Sequence, residues 1–99
     1  MIQSFAHSAT EDIFNGVNSK QARKKLDPSL YSVACRKLDM LDAAIDLNDL
    51  KIPPANRLEA FKGDLKGKYS IRINDQYRIV FIWGIQGPEQ VEIIDYHRN

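Results

Sequence analysis

Residues 69–83 read "YSIRINDQYRIVFIW", two apolar runs about a polar break. Apolar side chains fall on odd positions: Tyr69, Ile71 and Ile73, then Tyr77, Ile79, Phe81 and Trp83. That period of two belongs to a strand with one buried face, because successive side chains point to opposite sides of a sheet. Asn74-Asp75-Gln76 breaks the pattern with polar turn-formers, so the two runs form a hairpin. A three-residue loop there sets Ile73 against Tyr77 and Arg72 against Arg78. Gly84-Ile85-Gln86-Gly87-Pro88 reads as a second hairpin connection, leading to a strand over Gln90–Tyr96 whose Val91 and Ile93 extend the odd surface. The odd face is assigned to the core. The even face carries Ser70, Arg72, Arg78, Val80, Ile82, Glu92, Ile94 and Tyr96.

Upstream of this meander the pattern changes to helical. Asp27-Pro28 is a strong start, with Asp as N-cap and Pro preset for the first turn. Leu30, Ala34, Leu38, Leu41 and Ile45 then recur at spacings of four and three, an apolar stripe facing the sheet. Asp39, Asp42, Asp46 and Asp49 run parallel to it as a solvated stripe, and Cys35 beside it reads as a small core filler. Ser8-Ala9-Thr10-Glu11 has capping-box spacing for an earlier helix, with Gly16 as its stop. Met1–Phe5 and Leu58–Phe61 read as short strands, Lys62-Gly63-Asp64 as a turn, and Pro53-Pro54 ends the helical part. The basic segment from Asn18 to Leu26 is left undecided by pattern. Helices first and an antiparallel meander after them make an α+β fold.

With 99 residues, the chain is expected to be one domain, 1–99. Its composition, 43% hydrophobic and 27% charged, is that of an ordinary globular protein. No apolar run approaches a membrane span and no signal-peptide pattern opens the chain, so no membrane role is expected. The single Cys35 cannot pair within the chain, which fits a reducing cytoplasm. Net charge is only +1, but Lys51 to Arg78 holds seven bases against three acids. A chain polarised this way presents a basic surface to an anion while staying nearly neutral overall.

The even face is where that anion would sit. Like charges directly opposite destabilise a sheet, so Arg72 facing Arg78 asks for an anion between them. Glu92 on the next strand is one candidate; a phosphate, matched by paired guanidinium hydrogen bonds, is the other. The strand's end adds Asp95, Tyr96 and His97. His7 and His97 are isolated and no Cys/His cluster has ligand spacing, so neither metal nor other cofactor is expected. What is available is acid–base chemistry beside an anion. Cleavage of RNA through its own 2′-hydroxyl needs a base, an acid and cations facing the phosphorane.

At these residues the chain resembles a known family. "NRLEAFKGDLKGKYSIRINDQYRIVFIW" (56–83) with "VEIIDYH" (91–97) closely resembles the HigB-type toxins, or plasmid maintenance killer proteins, of the RelE/ParE superfamily. The likeness runs from "MIQSF" to the last residues. It implies a microbial RNase-like fold, and a toxin that enters the ribosomal A site and cuts mRNA by the 2′-hydroxyl route. It implies a HigA-like helix-turn-helix antitoxin, through which alone the toxin meets operator DNA. By position, the resemblance assigns cleavage roles to Asp95, Tyr96, His97, Arg78 and Lys62; Arg72 joins them from the sheet argument. Lys20, Lys24 and Lys25 would hold ribosomal RNA. Glu59 stands where some members have a histidine: it takes the proton-transfer role, or leaves a weaker enzyme in which His97 carries more of the load, or simply pairs with Arg57 or Lys62. Two alternatives stay open: a ParE-like gyrase inhibitor that cuts nothing, and an inactive relative serving only antitoxin binding and operon control.

Overall fold

The computed structural model describes residues 1–96 and, of Leu65, the backbone only. His97, the expected general acid or base, lies outside the described residues. Three helices, α1 (Ser8–Asn15), α2 (Lys20–Lys25) and α3 (Tyr31–Ala43), precede four strands. These are β1 (Glu59–Ala60), β2 (Lys68–Arg72), β3 (Tyr77–Gly84) and β4 (Gly87–Asp95), an antiparallel meander in the order β1-β2-β3-β4.

The expected register of the first hairpin is the observed one: Arg72 lies opposite Arg78 and Ile71 opposite Ile79. The odd face is the core face. Ile71, Ile79, Phe81, Val91 and Ile93 are fully buried there against Ala34, Leu38 and Leu41 of α3, and Tyr69, Tyr77 and Trp83 pack half-buried around them. Each such large side chain contributes about 1.5–3 kcal/mol relative to exposure, so this single layer carries most of the fold's stability. Thr10 ties α1 to the sheet, its hydroxyl accepting the Ile93 N–H at 3.1 Å.

The second hairpin is tighter than expected. Gly84 pairs with Gly87, so the loop is only Ile85-Gln86 and Pro88 already belongs to β4. The register is then rephased: Val80 faces Glu92 but Ile82 faces Glu89, so Phe81 alone on β3 opposes two residues of β4, Gln90 and Val91. Gln90, at φ +51°, absorbs the extra residue, and its N–H goes to Ser4 Oγ at 2.9 Å. That bulge lets the amino-terminal segment run beside β4. Gln3 N–H reaches Pro88 O at 2.7 Å and Ala6 N–H reaches Val91 O at 2.9 Å. The expected strand over Met1–Phe5 thus shrinks to one parallel bridge, Phe5 with Val91.

The helical half departs at its ends. Ser8 does not cap α1; His7 is the extended N-cap residue, and the Ser8 hydroxyl donates instead to Gln21 Oε1 at 3.0 Å. Gly16 does stop the helix, its φ of +75° letting Val17 N–H return to Asp12 O at 2.8 Å. The undecided basic segment is helical because Ser19 accepts the Ala22 N–H at 3.1 Å and donates to Asp12 Oδ2 at 2.6 Å, while Ala22 and Leu26 are buried. Asp27 caps a 3-10 turn (Pro28–Leu30) that runs into α3. The apolar stripe holds through Leu41, but α3 ends at Ala43 and the backbone at Ala44 turns extended. Ile45 therefore leaves the stripe and stands 90% exposed. Buried Asn56 fastens the segment after α3: its amide donates to Leu50 O and Ile52 O, and its oxygen accepts from the buried Lys37 ammonium.

Candidate functional site

Pairing of the short β1 with β2 sets Glu59 opposite Ser70, and Ser70 opposite Val80, so Glu59 stands on the even face. From there its carboxylate reaches one row over to Arg78, Nη1 to Oε1 3.2 Å. The Arg78 side chain is only 11% exposed, and its guanidinium lies 4.5 Å from the centroid of the Tyr96 ring. Phe61 supports the same ring, centroids 6.3 Å apart. Arg78 is therefore held by a carboxylate and a π face together, a cation oriented before any ligand arrives. Its Nε and the Ser70 hydroxyl, both on this face, are buried with no hydrogen-bond partner among the described residues. Such groups carry a desolvation cost that a polar ligand would offset.

The facing arginines do not share one anion. Arg72 takes Asp75 of the hairpin loop and Arg78 takes Glu59. Glu92, expected as a possible bridge between them, is turned away to His7 at 3.2 Å and Lys68 at 4.0 Å. The like-charge cost is met pairwise, which frees a guanidinium for a phosphate only by exchange of partners. Nor does Glu59 pair with Arg57 or Lys62.

Asp95 falls on the other parity. It pairs with Tyr77 across β3, accepts from Gln76 Nε2 at 3.1 Å, and borders a shallow concavity with Lys24 and Lys25 of α2. Lys20 continues that basic margin beside Lys24. Lys62 is exposed at the start of the turn after β1. The structure thus gathers Glu59, Arg78 and Tyr96 into one cluster with Arg72 beside it. It sets Asp95, Lys24 and Lys25 at the neighbouring edge. Phe61 and the buried Ser70 were not singled out from sequence; the signal for Phe61 was its place two residues after Glu59 in the segment that pairs with β2.

Among the described residues no group of three or more His, Cys, Asp or Glu side chains is placed to hold a metal. Cys35 donates to Ile13 O at 3.1 Å, and burial pushes its thiol up, away from the reactive thiolate. No described helix is long and apolar enough to cross a membrane.

Comparison with known proteins agrees with this architecture. The family model of the RelE-like toxin of type II toxin–antitoxin system HigB matches residues 3–97. Toxin HigB-1 of Vibrio cholerae serotype O1 is 46% identical over 77 residues, 77% of this chain and 80% of that protein. An uncharacterized protein of Haemophilus influenzae is 47% identical over 57 residues, 58% of this chain and 56% of its own. Among solved structures, a chain of the YoeB–YefM complex from Staphylococcus aureus superposes with a TM-score of 0.61 at 20% identity, covering 99% of this chain and 97% of that one, a likeness of fold. The chain belongs to the RelE-like HigB family of type II toxin–antitoxin toxins.

Proposed function

We propose that this toxin is a ribosome-dependent mRNA endonuclease, and the observation that carries the reading is Arg78, held between the Glu59 carboxylate and the Tyr96 ring on the uncovered sheet face. In the reaction the mRNA 2′-hydroxyl attacks its own phosphate, forming an O2′–P bond. The P–O5′ bond breaks, leaving a 2′,3′-cyclic phosphate and a 5′-hydroxyl. Arg78 exchanges Glu59 for the phosphate and faces the charge that grows on the phosphorane oxygens. The freed Glu59 carboxylate takes the 2′-hydroxyl proton, and His97, next in sequence after Tyr96, returns a proton to the leaving O5′. Tyr96 offers its ring to a base, while Lys62 and Arg72 hold flanking phosphates. Asp95, at the foot of the same strand end, orients His97.

Lys20, Lys24 and Lys25 on α2 bind ribosomal RNA, an attachment that weakens with salt. A helix-turn-helix antitoxin neutralises the protein and carries it to operator DNA, and the pair works in the cytoplasm. The test is to map mRNA 5′ ends after brief induction without antitoxin. Cuts confined to translated messages are expected. Intact messages with disturbed DNA topology would overturn the reading in favour of gyrase poisoning.

A further inference from the structure

At the end of the sheet opposite Arg78, large apolar side chains from three separate segments meet in the open. Ile85 is fully exposed at the tip of the second hairpin, Ile45 is 90% exposed after α3, and Met1 is 73% exposed. With Ala44 and half-buried Trp83 they line one concavity of about 300 Å³. Two-residue hairpin loops favour Asn, Asp and Gly, so an isoleucine at position 85 has no local reason. A lone exposed apolar residue is ordinary, but a contiguous group rimmed by charge marks an interaction surface.

The rim is acidic. Asp42 accepts the Ile2 N–H at 2.8 Å, beside Met1. Asp49 accepts the Ile45 N–H at 3.0 Å, next to Asp46, and the Glu89 carboxylate lies over Gly84 where a Cβ would meet it. RNA does not fit such a rim, because its phosphates would be repelled. A second copy seated patch to patch would bring eight carboxylates together. The surface fits a protein segment whose apolar side chains are flanked by lysine or arginine, the chemistry of a DNA-binding protein.

We infer that Met1, Ile45, Trp83 and Ile85 anchor the antitoxin through such a segment, an inference that rests on the antitoxin part of the proposed function. Gly84 lies six positions along β3 from Arg78, about 20 Å at strand rise, so the anchor and the arginine face are distinct surfaces.

The test titrates the purified toxin with the helix-turn-helix protein encoded beside it. Ile45→Asp with Ile85→Asp should weaken binding at least ~30-fold, as the loss of a buried anchor does, while mRNA cutting is unchanged. Ile85→Lys should weaken it more than Ile85→Asp, because the partner is basic, and wild-type affinity should fall with salt. Failure of the wild-type toxin to bind would sink the antitoxin reading itself. If the wild type binds and the double variant binds equally, the anchor is elsewhere. If Ile85→Asp is the weaker of the two single variants, the partner is not basic.

Discussion

The two faces of the sheet share the same strands and differ in what covers them. On the odd face, Ile71, Ile79, Phe81 and Ile93 are dry under α3 and carry no polar group. On the even face, where Ser70 and Val80 are buried as well, charged side chains lie over the strands: Glu59 over Arg78, Arg78 over Tyr96, Glu92 toward His7 and Lys68. One face is bought with apolar area. The other consists of ion pairs whose cations are mostly buried, Arg78 at 11% exposure and Lys68 and Arg72 below a third, and they hold those cations in fixed places. The two faces divide the labour: the one under α3 stabilises, and the other carries the charged cluster of the proposed site.

The division is broken most sharply from the odd side. Phe81→Ala removes a fully buried ring and should cost ~3–5 kcal/mol in denaturant unfolding, a large part of a small domain's stability. Activity per folded molecule should survive; a stable Phe81→Ala protein would mean that the odd face is not the main core. From the even side, Arg78→Ala should lower mRNA cleavage ~10²–10³-fold, as loss of one transition-state donor does, and cost clearly less stability than Phe81→Ala. Equal damage to stability and cleavage would dissolve the distinction. Tyr96→Ala should act on the same face more gently, weakening binding of the RNA by about 1–3 kcal/mol, the worth of one base stacked on an aromatic ring. That loss belongs in substrate affinity, so a pure drop in turnover would argue against stacking.

How much of this was legible follows from which interactions are local. The Arg72–Arg78 register was readable because a three-residue loop leaves few alternatives, and strand parity then placed Tyr96 with them. The partners of the two arginines were not, since Asp75 sits on the loop and Glu59 on a strand of two residues, positions that only tertiary pairing defines. The apolar stripe from Leu30 to Leu41 was plain, yet Ile45 was misread because periodicity does not say where a helix stops. Likewise the tight Gly84–Gly87 hairpin was hidden by the Gln90 bulge, which shifts parity along β4 without any strong sequence mark. A capping box was expected at Ser8, but its hydroxyl is taken by Gln21, which pattern could not foresee.

A charge cluster off both faces tests whether position or charge makes the difference. Asp12 accepts from Ser19 at 2.6 Å and from Gln21 at 2.8 Å, joining α1 to α2, and these hydrogen bonds, Ser19's first, hold its carboxyl below the ordinary value. A depressed folded-state pKa contributes stability that is present above the unfolded value, about 3.9, and lost as pH falls through the folded one. Ser19→Ala removes the α2 cap, a loss that should destabilise by about 1 kcal/mol, and with it the largest cause of that shift. Denaturant titrations carried from pH 7 to below 3 should show the gap to wild type narrowing, because wild type loses the Ser19 part of the Asp12 shift while both proteins lose the Gln21 part. The cap part should persist, since Ser19 still accepts from Ala22 whatever the state of Asp12. A gap that stays constant across pH would show the Asp12 bonds to be idle. The chemical step should be unaffected at neutral pH, because Asp12 lies on neither sheet face, and any loss of cleavage should be a loss of ribosome binding through the α2 lysines that Ser19 caps.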